Sequence, residues 1–324
     1  MKTKNTLFII SGLLLVSFFF IFSKQDERSD NVDYQKEFNK SYSVYSLTLP
    51  DEISFAGEKV PLDHFDVREA LDQEMLVNTY WQSQTLLFMK RAHKYFPRIE
   101  KILTENNIPD DFKYLVLAES DLKNAVSPSG AVGIWQLLKG TATDYGLEVN
   151  SEIDERYHFE KSTHAACGFL NDAHELFGSW TMAAASYNMG RRGLIKQVNR
   201  QKQDNYYDLL LNNETGRYVY RILAIKLILE NPEKYGFHVR EKDLYHSVPT
   251  YEVKVDTAVS NFADFAEKFS INYKVLKYFN PWLRESYLTN KSKKEYLIKI
   301  PEEGFRSYTK MVNHFDIDTT ILSD

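Results

Sequence analysis

Pro109-Asp-Asp-Phe-Lys-Tyr-Leu-Val-Leu-Ala-Glu-Ser120 opens on a helix-start signal and ends on a carboxylate. Proline presets φ for a first helical turn, two acids suit the positive end of the helix dipole, and Phe112 to Ala118 is nearly all apolar. The stretch therefore predicts a buried helix with Glu119 at its far end. Burial disfavours the charged form of a carboxyl, so a raised pKa and a neutral proton donor are expected there. The plain reading stands beside it: a glutamate at the edge of an apolar helix that turns to solvent or pairs with an arginine.

Downstream, Ser127-Pro-Ser-Gly-Ala-Val-Gly-Ile-Trp-Gln136 reads as a loop in which Gly130 and Gly133 permit a tight turn or close approach of backbone to a ligand. Trp135 offers a face for stacking on a sugar and Gln136 an amide that both donates and accepts. The alternative is a simple turn with a core tryptophan. Ala184-Ala-Ser-Tyr-Asn-Met-Gly190 puts a phenol and an amide at a helix end, and Glu214-Thr-Gly-Arg-Tyr218 begins another helix. Each also reads as capping or packing.

Working outward, Val67 to Lys94 recurs with a helical period, Pro97 marks a break, and Arg98 to Asn107 forms a further helix that ends in an Asn pair. Ser162 is the expected cap of a helix running to Phe177 and stopped by Gly178; Ser179 caps the next, stopped by Gly190. A last helix spans Glu214 to Leu229. Residues 67 to 235 thus read as all-helical, and 31–66, polar with scattered Tyr, as a connector. After Pro249, Tyr251 to Val255 and Tyr296 to Ile300 alternate like strands around two short helices, a strand-helix-helix-strand module. The expected divisions are 1–30, 31–66, 67–240, 248–305 and a tail at 306–324. The fold class is mainly α with a small α+β module.

A formal charge of −5 across 324 residues gives no attraction to phosphate backbones, so no nucleic acid is expected. Cys167 is the one cysteine and sits in an apolar run, which excludes an internal disulfide and points to a small buried hydrophobe. The histidines form no zinc-binding spacing and no calcium-loop pattern occurs, so no cofactor or metal is expected. Lys2 and Lys4 precede the apolar run from Thr6 to Phe22, which reads as an export signal or an uncleaved anchor in the cytoplasmic membrane. Residues from about 31 onward are expected outside that membrane, in the periplasm or cell envelope.

Four motifs in order, Glu119-Ser120, Gly133-Ile-Trp-Gln136, Ser186-Tyr-Asn188 and Glu214-Thr-Gly-Arg-Tyr-Val219, resemble the SLT-domain lytic transglycosylase family. That family shares the goose-type lysozyme-like fold, and the likeness, over about 98–235, is to its membrane-bound murein transglycosylase D group. The resemblance implies cleavage of the bond between N-acetylmuramic acid and N-acetylglucosamine in peptidoglycan, with Glu119 as sole acid and base. The muramic acid's own C6 hydroxyl would attack, leaving 1,6-anhydro ends, so no second carboxylate is required as in a hydrolase pair. Asp121, Asp144 and Asp154 are the other acids weighed for that second role. By the same resemblance Ser120, Ser127, Gly133 and Gln136 contact substrate or hold Glu119, Tyr187 and Tyr218 tune its carboxyl, Asn188 binds glycan, and Trp135 shapes the cleft wall. Ser186 stands where alanine is usual, and His158-Phe159 replaces an Asp-Pro.

The C-terminal module resembles a LysM domain, a fold that binds N-acetylglucosamine-containing polymers, through Tyr251-x-Val253, Asp256-Thr257, Phe262-x-x-Phe-Ala266, Asn280-Pro281 and Ile298-x-Ile-Pro301. The contrary expectation is a degenerate module that only packs on its neighbour. Rival functions are a muramidase that spends a water on the same bond and a peptidoglycan-binding protein without catalysis.

Overall fold

A computed structural model describes residues 32, 33, 35–37 and 44–315. The apolar run 6–22, and the anchor read from it, lie outside those residues. Among the described residues no helix is long and apolar enough to cross a membrane.

The second half of the stretch read as a connector enters the core. A hairpin of β1 (Ser54–Phe55) and β2 (Glu58–Lys59) buries Phe55 completely, with Ile53, Val60 and Leu62 around it. Asp111, expected to face a helix dipole, makes no side-chain cap. Its carboxylate instead accepts from the Ala56 amide at 2.6 Å and from Lys226 Nζ at 2.8 Å, tying the hairpin to the helices.

Helix α1 (Phe65–Tyr80) buries Val67, Leu71 and Met75 on one face. Helix α2 (Gln82–Glu105) follows a break at Trp81, whose ψ of 56° leaves the helical region. Pro97, expected to break the chain, lies inside α2. A helix-interior proline costs about 3 kcal/mol; burying Ile99, Ile102 and Leu103 beyond it returns roughly 1.5–3 kcal/mol each, so packing overrides the local signal.

Helix α3 (Phe112–Ser120) is the expected buried helix, with Phe112, Leu115, Val116 and Leu117 fully covered. It is followed by β3 (Ala125–Val126), β4 (Val132–Gly133), α4 (Lys139–Asp144), α5 (Phe159–Phe177), α6 (Trp180–Met189), α7 (Arg191–Gln201) and α8 (Asn213–Glu230). Helix α8 packs against α1, α3 and α6, so the core sits around α3 and α8. Gly178 ends α5 in the left-handed region, and Ser179 Oγ accepts from the Met182 amide at 3.3 Å. Ser162, expected to cap α5, is buried one turn inside it and bonds back to the Phe159 carbonyl; the cap is His158. Cys167 is buried and free, its thiol pushed up to about 12 by burial.

In the C-terminal module β5 (Thr250–Val255) pairs antiparallel with β6 (Tyr296–Pro301), in a register that sets Tyr251 opposite Ile300 and Val253 opposite Ile298. Helices α9 (Phe262–Glu267) and α10 (Tyr273–Phe279) cover one face, and Phe262, Leu276, Ile298 and Ile300 form a separate core. That core includes Ile153 of the helical domain, 1% exposed and bridged to Leu283. The Asp154 amide donates to the Trp282 carbonyl at 2.9 Å and the Arg284 amide to Glu152 at 2.8 Å. The chain is thus a mainly helical domain followed by a small β-α-α-β module.

Candidate active site

Glu119 sits one residue before the end of α3, where Asp121 adopts the left-handed conformation, φ 56°, and turns the chain away. Tyr218, buried in the second turn of α8, donates its hydroxyl to Glu119 Oε1. Glu119 as a residue is half-buried, and protein crowds its carboxyl. Burial pushes it up to about 7; the Tyr218 hydrogen bond lowers it, the Glu214 charge raises it and the Arg221 charge lowers it. Burial, and the neighbouring Glu119 carboxylate, hold the Tyr218 phenol well above its ordinary value, so it remains a donor.

A Tyr218→Phe variant removes a donor to the ionised carboxyl, so the Glu119 pKa should rise further. Hydrogen bonds to charged groups are worth about 1.5–3 kcal/mol, which predicts a shift of about one unit or more. Titration of the carboxyl by NMR, or the alkaline limb of the activity profile, should move up by that amount. A limb that stays in place would remove Tyr218 from control of the carboxyl.

The loop after α3 is pinned to it. Ser120 Oγ donates to the Ile134 carbonyl at 2.6 Å, and β3 and β4 form a two-residue ladder, a small strand element in a region read as all-helical. Gln136 donates its amide to the carbonyls of Gly133 at 2.7 Å and Ala125 at 3.1 Å. Ser127 Oγ accepts from the Ala131 amide at 3.0 Å and shares a hydrogen bond with Ser129. Trp135 corrects an expectation: its ring has no exposed surface, and Nε1 donates to Thr163 Oγ1 at 2.8 Å. Such a ring cannot stack on a sugar; it holds the loop from within. Tyr187 donates to the Trp135 carbonyl at 2.7 Å, not to Glu119, although its pKa too is raised well above the ordinary value by burial and by the Glu119 charge.

One group behind this loop, Arg156, was given no role from sequence. Arg156 is buried; it bonds Asp154 through Nε at 2.9 Å and Nη2 at 2.8 Å, and Nη1 donates to the carbonyls of Gly130 at 3.1 Å and Leu137 at 3.3 Å. Asp154, one of the acids weighed as a second carboxylate, is 7% exposed; it serves this clamp and caps the short turn Glu155–Tyr157, its Oδ1 accepting from the Arg156 amide at 3.2 Å. The available signal was the Asp-x-Arg spacing itself. The Arg156 carbonyl, in turn, lies against Gly133, where a Cβ would meet it at 2.1 Å.

Asn188 donates to Glu214 Oε1 at 3.1 Å and accepts from Thr215 Oγ1 at 2.8 Å, which joins the end of α6 to the start of α8. Asp121 pairs with Lys123 at 2.8 Å and Asp144 is exposed, so neither they nor Asp154 supply the charge felt by Glu119; Glu214 does. Glu74, 1% exposed on α1, holds Arg217 Nε at 2.5 Å and has Arg221 Nε at 3.6 Å, so it pairs with the cation whose charge lowers the Glu119 pKa.

Residues 97–210 match the Transglycosylase SLT domain, and residues 251–304 the Soluble lytic transglycosylase C-terminal LysM-like domain. The chain is 28% identical over 244 residues to membrane-bound lytic murein transglycosylase D of Escherichia coli (strain K12), covering 72% of this chain and 52% of that one. The protein of the same name from E. coli O6:H1 gives the same figures. A putative tributyltin chloride resistance protein of Alteromonas sp. (strain M-1) is 29% identical over 125 residues, 38% of this chain and 60% of that one. The chain spans about half the length of the first two relatives.

Proposed function

We propose that this chain, an SLT transglycosylase domain followed by a LysM-like domain, is a peptidoglycan lytic transglycosylase of the cell envelope. The observation that carries the reading is Glu119: a carboxyl pushed up to about 7, joined to the Tyr218 hydroxyl, at the motif where the family resemblance puts the acid. A group that titrates near neutral pH is suited both to giving up a proton and to taking one back.

In the proposed reaction Glu119 protonates the oxygen that leaves with N-acetylglucosamine. The C6 hydroxyl of the muramic acid attacks its own anomeric carbon, and Glu119 accepts that hydroxyl's proton. The acid is regenerated, a 1,6-anhydro ring forms and no water is consumed. Because the nucleophile is part of the substrate, its effective concentration is set by ring geometry. The loop clamped by Arg156 fixes the floor under Glu119, while Ser127, Gln136 and Asn188 line the loop and helix ends that would receive the glycan. The LysM-like module would hold N-acetylglucosamine-containing strands, and residues 6–22 would deliver the chain to the envelope.

A hydrolase on the same bond is the second reading, favoured by one observation: the charge of Glu214 reaches Glu119. Product mass separates the two. Digested sacculi should yield fragments lighter by one water and inert to borohydride; reducing ends in their place would sink the transglycosylase reading.

A further inference from the structure

A cavity of about 380 Å³ lies between the helical domain and the LysM-like module, within the range of roughly 300–1,000 Å³ usual for small-ligand sites. It does not take in Glu119, Tyr187 or Tyr218. Five cations line it, Arg91, Lys94, Arg98, Lys123 and Lys299, against one carboxylate, Glu160, which Arg98 and Lys299 already bond. In a chain of net charge −5 this is a local concentration of the opposite sign. His158, pushed down to about 4 by burial, adds no charge at neutral pH.

Two of the cations have no carboxylate partner among the described residues. Arg91 donates only to the Asp121 carbonyl, at 3.2 Å. Lys94 donates to the Tyr278 hydroxyl at 2.7 Å and sits 5.1 Å from the ring centres of Tyr95 and Tyr278. Partly desolvated cations held by rings and neutral oxygens, without a counter-ion, form a receptor for an anion.

The wall of the cavity includes Leu122 and Ile134. Leu122 is three residues past Glu119, so their Cα atoms are at most roughly 11 Å apart, and a peptide of four residues spans up to roughly 14 Å. We propose that this cavity binds a carboxylate of the acidic peptide stem carried by the glycan strand, with Arg91 and Lys94 as the recognising groups. The carboxylate is assigned by the site's own charge; its source, the stem, rests on the transglycosylase reading.

The full chain would be titrated calorimetrically with a free acidic stem tetrapeptide, the same peptide with every carboxylate amidated, inorganic phosphate, and chitotetraose. The tetrapeptide should bind saturably, and the amidated form at least tenfold more weakly. Arg91→Gln with Lys94→Gln should weaken the tetrapeptide at least tenfold and leave chitotetraose unchanged, while Lys94→Arg with Arg91 intact keeps binding within a few-fold of the native chain. A melting temperature close to that of the native chain shows that the variant is folded; if it is not, Arg91→Gln alone carries the test. No peptide binding, or binding indifferent to these substitutions, overturns the proposal. So does phosphate that binds to the cavity and is not displaced by the peptide. Anhydro ends released from peptide-free strands report on the reaction separately. Their formation without peptide binding rejects only the cavity, and peptide binding without them rejects only the reaction.

Discussion

Glu119→Gln should abolish formation of anhydro ends and, at neutral to alkaline pH, raise the melting temperature. The amide neither gives nor takes a proton, and general acid–base catalysis typically contributes about 10²–10⁴-fold per role. With both roles on one carboxyl, a drop of at least about 10⁴-fold is expected. The stability change follows from the same carboxyl. Its pKa stands at about 7 in the fold against 4.5 for the free group, because burial disfavours the charge. Between those two values the native state binds more protons than the unfolded chain, so stability falls as pH rises from about 4.5 to 7, and the penalty is complete above that. At roughly 1.4 kcal/mol per unit the penalty is at most on the order of 3 kcal/mol. Glutamine carries no charge at any pH and escapes it, while still accepting from Tyr218. Calorimetric melting of both proteins should therefore show the variant ahead at pH 8 and the gap closing near pH 4.5. Turnover within tenfold of the native chain, or a native chain that melts higher at pH 8, would sink this account of Glu119.

The helix that carries Glu119 was readable because its apolar run is continuous and its start is marked by Pro109; no tertiary contact was needed to place it. The β-α-α-β module was readable for a similar reason, since two alternating segments flank two short apolar-periodic ones. Local signals failed where distant packing outweighed them. Pro97 looks like a break in sequence, but Ile99, Ile102 and Leu103 are buried beyond it and hold α2 together. Phe55 sits in a polar stretch, so nothing local distinguished it from a connector, yet it stacks edge-on against Phe112 at 5.2 Å. Within the site, sequence identified the residues by their motifs but not which way they face. Trp135 turns inward, and the supporting carboxylates Asp154, Glu74 and Glu214 take part through partners 2 to 143 positions away along the chain. Composition does not encode which of many acids meets which arginine; only the closed fold does.

Gly133→Ala should damage both stability and turnover, and Gly130→Ala supplies the control that says why. Both glycines have positive φ, +83° and +80°, so alanine at either meets the same left-handed penalty, roughly 1–2 kcal/mol. Around Gly130 nothing lies within 4 Å of an added Cβ, whereas at Gly133 that Cβ meets the Arg156 carbonyl oxygen at 2.1 Å and its carbon at 3.0 Å. Reaching an ordinary contact requires a shift of about 1 Å, and neither side gives easily. Arg156 is held by two bonds to Asp154 and two loop carbonyls, and the Gly133 carbonyl by Gln136. The strain therefore passes along the loop to Ile134, whose carbonyl receives Ser120, the residue next to Glu119. Misplacing a catalytic group by about 1 Å costs about 10²-fold in rate. Gly133→Ala should accordingly lose at least twice the stability lost by Gly130→Ala, and about 100-fold in anhydro-end formation, where Gly130→Ala stays within a few-fold of the native chain. Equal effects of the two substitutions on melting and on turnover would mean that backbone conformation alone is at stake and that the Arg156 clamp does not position the acid.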